Sequence, residues 1–149
     1  MRLLVPLGRL LFVLVFLLSA PHHFDKTTID QAAAYLKWMP HDVVQILVPL
    51  SGVIALVGGL SVLCGLYTRF GAWLLILFLV PVTIMMHPFW QGPDPAHTQL
   101  TNFLKNTSMC GGALLIAYYG PGPFSFDDRR KRNAPAGVTL ASAKQAANK

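Results

Sequence analysis

No charged residue lies between Asp42 and Arg69, and none between Arg69 and Asp94. The first gap holds an apolar run from Val43 to Leu66, the second a run from Phe70 to Met86. Between them stands only Tyr67-Thr68-Arg69. As a helix, the stretch from Arg69 to His87 would rise about 26 Å at 1.5 Å per residue. A bilayer's hydrocarbon core is about 30 Å thick. Two more apolar runs flank this pair, Leu3 to Ala20 and Asn102 to Tyr119. Soluble domains carry about a quarter charged residues, whereas this chain has 12%, with 54% hydrophobic residues and no Glu. Its mean hydropathy is +0.51. Such a chain cannot cover its apolar surface with polar side chains, so lipid must be part of its solvent.

The net charge of +6 is not a nucleic-acid footprint. The basic residues sit at the ends of apolar runs, not on one face of a soluble element. Their placement reads as topology. Four spans put both termini on one side. Arg2, Arg9, Arg69, Arg129, Arg130, Lys131, Arg132, Lys144 and Lys149 then share that side, and only Lys26, Lys37 and Lys105 lie opposite. This excess predicts cytoplasmic termini, with all five histidines toward the outer face. The first run resembles a signal peptide, but Leu18 sits three before any cut after Ala20. We therefore expect it to remain as a membrane helix, with the Arg9 stem carrying its charge back to the headgroups. Cys64 and Cys110 fall in different runs, match no metal-binding spacing, and read as small buried thiols.

The expected fold is all-α: an integral membrane four-helix bundle with a short interfacial helix between helices one and two. Thr28 and Gln31 have capping-box spacing for that short helix, Ala32-Ala33-Ala34 favour it, and Pro40 ends it. Tyr35 and Trp38 would sit at headgroup level. Pro49 is expected to bend or start the second span. Ser51, Ala55 and Gly59 form a small-residue stripe there, and Ser108 and Gly112 repeat the spacing in the fourth. The stripes predict that spans two and four pack closely. Residues 1–126 form the membrane domain, and 127–149 a basic tail expected to be mostly disordered.

Candidate chemistry gathers between Met85 and Gly112. Asn102, Lys105 and Asn106 stand at i, i+3 and i+4 and share a helix face. Turned inward, Lys105 would hold an anionic or quinone oxygen with the amides as further donors; alternatively it snorkels to headgroups and the amides cap a helix. His87-Pro88-Phe89-Trp90 ends the third run on the same side. His87 is suited to relay a proton or donate to a carbonyl, and Trp90 to stack on a flat ligand; the alternative is an aromatic belt with a satisfied interfacial histidine. His22, His23, His87 and His97 would make a metal site only if they converged. Adjacent histidines on a helix point apart, so no metal is expected. No nucleophile motif, phosphate loop or paired-carboxylate site appears, and Asp25, Asp30, Asp42 and Asp94 read as loop residues or caps.

These residues resemble the DoxX family of small four-helix bacterial inner-membrane proteins. The resemblance rests on Gly8-Arg9-Leu10, on Gly58-Gly59 to Arg69, and on His87-Pro88-Phe89-Trp90. It continues through Asn102-Phe103-Leu104-Lys105-Asn106 to Gly111-Gly112, then Gly120-Pro121-Gly122 and Ser125-Phe126-Asp127. It covers about residues 3 to 128. Two positions depart from the family pattern: His22 stands where a Lys is frequent after helix one, and Ala55 where a Glu is frequent in helix two. His22 can replace the cation, but nothing replaces the carboxylate. The resemblance implies membrane redox chemistry. The expected function is therefore a subunit or accessory of a quinone-linked membrane oxidoreductase. His87 and Lys105 would be the reacting donors, and Trp90, Asn102, Asn106 and His22 would hold the quinone. Electrons would come from a partner redox protein. The alternative is a non-catalytic membrane scaffold or assembly module, open to homo-oligomerisation, that needs only the stripes, the interfacial helix and the basic tail.

Overall fold

The computed structural model describes residues 3–90 and 96–133. Among them every regular element is helical: α1 (Leu4–Ser19), a 3-10 turn (Ala20–Phe24), α2 (Lys26–Tyr35), α3 (His41–Cys64), α4 (Thr68–Met86), α5 (Ala96–Tyr119) and α6 (Phe126–Asn133). The long helices α1, α3, α4 and α5 run up, down, up and down. One end of the bundle gathers Arg9, Arg69 and the start of α6; the other gathers the histidines.

Three segments are long and apolar enough to cross a membrane: Leu4–Phe24, His41–Cys64 and Thr68–Met86. Their outward faces explain why lipid is needed. Leu4, Leu7, Leu11, Leu14 and Leu18 are exposed on α1, and Ile46, Leu50, Val53, Val57 and Leu60 on α3. Phe70, Trp73, Leu77, Val80 and Ile84 are exposed on α4. Each set recurs at alternating spacings of three and four, one continuous stripe per helix. Large exposed apolar surfaces of this kind need a non-aqueous neighbour.

Helix α5 is as long as α3 but polar in its first half. It begins at Ala96, earlier than the sequence predicts, because the polar stretch before Asn102 also coils. Two of its exposed hydroxyls fold back on their own helix: Thr107 donates to Phe103 O at 2.8 Å and Ser108 to Leu104 O at 2.9 Å. Such bonds let a hydroxyl face lipid without an unmet donor.

The core lies where the four long helices meet. Phe16, Leu75, Leu79, Ala55 and Ala113 are buried there. Phe16 packs on Phe12 and, edge to face, on Phe78, with centroids 5.6 and 6.2 Å apart. Helix α3 lies between α1 and α4, and α4 packs on α5. The Ser51–Ala55–Gly59 stripe therefore meets α1, not the fourth helix as the stripes predicted. A Cβ on Gly59 would stand 3.1 Å from Leu17 Cδ2, and one on Gly52 2.6 Å from His23 Cβ. Spacing identifies a face but not its neighbour. Gly112 on α5 instead receives the Phe12 ring, whose Cε2 would be 2.9 Å from an added Cβ.

Two further expectations change, at Arg9 and at Thr28. Arg9 does not reach the headgroups. It is 5% exposed, and its Nη2 donates to Phe124 O at 2.8 Å. The backbone of the segment after α5 lies within its reach and outcompetes the aqueous route. Thr28 does not begin α2; the helix starts at Lys26 after the extended Asp25. The tail opens as a helix, α6, because buried Ser125 caps it, accepting from Asp128 N at 3.1 Å. Residues 134–149 lie outside the described residues. Pro49 sits inside α3 and does not start it.

A tight lock closes the basic end. Helix α3 stops at Gly65 with φ +68°. Leu66 N donates to Ser61 O at 3.0 Å and Gly65 N to Val62 O at 3.2 Å, a Schellman stop that glycine favours. The next helix is capped from far along the chain. The Asp127 carboxylate accepts from Tyr67 N, Thr68 N and Thr68 Oγ1, each at 2.9 Å. A carboxylate at a helix N-terminus meets both the open N–H groups and the positive end of the dipole.

Candidate site at the histidine end

Helix α2 folds across the histidine end. Its Ala32, with Leu36 just beyond it, packs on Val44 of α3, with Met85 and Met86 of α4 alongside. This second small core fixes the last turn of α4 and hence His87, which caps that helix. His87 is half-buried. Its Nδ1 lies 2.8 Å from Gln99 Oε1. An amide oxygen only accepts, so as the amide is placed Nδ1 carries the proton, and Nε2 is the nitrogen left for a ligand. Gln99 Nε2 in turn reaches the Tyr35 hydroxyl at 3.5 Å, tying α5 to α2.

Aromatic rings wall this end. Phe89 meets Trp90 and Phe103 with centroids 5.1 Å apart in each case, and Trp90 lies 6.1 Å from Phe103. All three pairs are edge to face, the arrangement ring quadrupoles favour. Trp90 remains exposed. Asn102 and Asn106 are half-buried on α5, on the side that continues toward buried Ala113, while Lys105 is exposed on the flank of that face. The fold thus brings His87, Trp90, Asn102, Lys105 and Asn106 to one end.

His22 is not joined to them by any described contact. It is exposed, and its Nδ1 pairs with Asp25 Oδ2 at 3.1 Å. Its neighbour His23 is the one that turns inward, 3.0 Å from Ser51 Oγ and with its ring 5.5 Å from Phe78. Ser51 Oγ itself donates to Val48 O at 2.7 Å. The Ala55 position is fully buried in the main core. Among the described residues, no three His, Cys, Asp or Glu side chains group as a metal site. The side chain of His97 and the residue Asp94 lie outside the described residues.

Sequence reasoning did not single out Gln99, and it named Phe103 only within a longer motif and His23 only as one of four histidines that might converge. Gln99 lies three residues before Asn102, one turn up the same face, and that register was the available signal. For His23 the signal was weaker: only the choice between two adjacent imidazoles, which depends on where the 3-10 turn directs them.

The fold and this end define a class, a small helical integral membrane protein with a polar, aromatic-walled rim. A family model described as DoxX matches residues 4–88, more than half of the chain, and the chain belongs to the DoxX family. The match takes in α1 to α4 and His87; Asn102, Lys105 and Asn106 lie beyond it. Two curated relatives are similar to it. "Inner membrane protein YphA" of Escherichia coli is 33% identical over 85 residues, covering 54% of this chain and 61% of that protein. "Uncharacterized protein T02E1.7" of Caenorhabditis elegans is 34% identical over 68 residues, 46% of this chain and 25% of that one. The chain therefore matches less than two thirds of the length of either. No solved structure matches.

Proposed function

We propose that this DoxX-family protein serves as a subunit or accessory of a quinone-linked oxidoreductase in the bacterial inner membrane, with the histidine end as the quinone site. The observation that supports this reading is the half-buried His87. Gln99 fixes its tautomer, and the Phe89–Trp90–Phe103 ring cluster begins two residues after it. A quinone is flat and apolar with two carbonyl oxygens. Trp90 is suited to its ring and the Asn102 and Asn106 amides to its oxygens. With Nδ1–H held by Gln99, it is the doubly protonated His87 imidazolium that can donate from Nε2–H to a quinone oxygen. Lys105, at the rim, supplies positive charge as a quinone carbonyl gains electrons. Electrons come from a partner redox protein, since the chain has no recognisable cofactor motif of its own. The basic excess at the opposite end supports cytoplasmic termini and an outward-facing site. The printed name of the Escherichia coli relative agrees with an inner-membrane location.

The scaffold alternative leaned on the small-residue stripe as a docking face. Within this chain Leu17 of α1 already meets that stripe at Gly59, which leaves the α5 stripe, the interfacial helix and the basic tail to carry that alternative.

The test is quinone reduction in membranes holding the protein with its native partners. His87→Ala should lower turnover by roughly 10²-fold or more, the scale of a lost proton donor, at unchanged protein abundance. Lys105→Ala should also lower it. Unchanged turnover in both variants contradicts the proposal.

A further inference from the structure

A cleft lies at the opposite end of the bundle from the histidines, and its reading is independent of the quinone proposal. It has a volume of about 560 Å³ and lies between the α3–α4 turn, the segment after α5 and the start of α6. Volumes of a few hundred Å³ and upward are typical of small-molecule sites. Arg69 and Arg130 face it from two different elements; Tyr67, Thr68, Phe70, Pro121 and Asp127 complete the wall, the Asp127 carboxylate being engaged by the Tyr67 and Thr68 donors it caps.

We infer that this cleft binds a phosphate group between Arg69 and Arg130, carried by an anionic lipid whose glycerol and upper acyl carbons rest on Phe70 and Pro121. Neither guanidinium forms an ion pair among the described residues. Arg69 gives one Nη2–H to Tyr118 O at 3.1 Å, and Arg130 one Nη1–H to the Tyr67 hydroxyl at 3.4 Å. Those single bonds aim the two forks and leave most of their five N–H donors each for a ligand. Planar guanidinium forks match phosphate oxygens in pairs, which a diffuse positive surface does not. Phe70 is 62% exposed and begins the lipid-facing stripe of α4, so a ligand in the cleft meets charge above and hydrocarbon below. That division fits an amphiphile better than a free ion.

The experiment uses the full chain purified in a neutral detergent. Thermal unfolding is followed with added phosphatidylglycerol, with phosphatidylcholine, or with inorganic phosphate. Phosphatidylglycerol should raise the midpoint of the native protein, and the other two additions should leave it near the starting value. The double variant Arg69→Gln/Arg130→Gln should bind phosphatidylglycerol at least tenfold more weakly, read by retention in native mass spectrometry. Arg132→Gln should bind as the native chain does, because Arg132 pairs with Asp128 at 2.7 Å and does not line the cleft. If the double variant unfolds on purification, Arg130→Gln alone carries the same expectation. Equal lipid retention in native and variant chains overturns the site. Equal stabilisation by inorganic phosphate overturns its assignment to lipid.

Discussion

A guanidinium inside an apolar helix has two ways to avoid bare hydrocarbon: extend to the headgroups, or find carbonyls within the protein. Arg9 takes the second, and its Nε and Nη1 remain buried without partners. Its position one to two turns into the first run was visible in the sequence. Its partners, the Pro123 and Phe124 carbonyls, were not, because they lie over a hundred residues away. Asp127 repeats the lesson: it reads as a tail residue and acts as the cap of α4. Asp127→Ala should cost about 0.5–2 kcal/mol, the range for a lost cap. Asp128→Ala, whose carboxylate pairs with an exposed Arg132, should cost well under that. Denaturant midpoints in detergent would compare them, and equal losses would contradict the capping role. Gly65→Ala should also destabilise: its φ is +68°, and a new Cβ would collide with Arg9 Nη1 and Ser125 Cβ. The strain alone is about 1 kcal/mol, and a variant as stable as the native chain would refute this.

At the scale of elements, α3 carries two close contacts on different faces. Gly58 faces α4, where its added Cβ would stand 2.9 Å from Gly71 O. Gly59 faces α1, and Gly52 the 3-10 turn that follows it. In lipid, helix association relies on such close packing, since apolar side chains gain little by leaving one hydrocarbon for another. Gly58→Val should therefore push α3 and α4 apart and lower the unfolding midpoint strongly. Gly111→Val, at an exposed position with open space around its Cβ, should change it little. The reverse order would show that the crossing has been misassigned. Helix extents were largely legible, because apolar runs bounded by Arg69, Gly65 and Gly120 leave few alternatives. Pairing was less so. A stripe on α3 and another on α5 look complementary in sequence, but short turns make α3 the neighbour of α4 and place α1 on its other side. Leu17, which meets Gly59, and the Phe12 ring, which meets Gly112, show which partner each small-residue face takes.

On the scale of the whole molecule, the two ends differ in chemistry, and that polarity organises the rest. One end collects arginines, the Schellman turn and the long-range cap. The other collects imidazoles, amides and aromatic rings, closed over by α2. This division was readable from charge placement alone. The geometry joining His87 to Gln99 and Phe103 was not, because it depends on the register of α4 against α5. Everything rests on α5 crossing the bilayer beside three plainly apolar helices, despite the polar residues in its first half. Cysteine accessibility tests that directly. In a Cys64→Ser/Cys110→Ser background, Thr27→Cys reports the segment after α1 and Asn133→Cys the end of α6. Helices α3, α4 and α5 lie between them. A membrane-impermeant maleimide applied to intact spheroplasts, and separately to inverted vesicles, should label the two sites from opposite sides, Thr27→Cys from outside. Labelling of both from the same side would mean that α5 does not cross, and would contradict the four-span bundle.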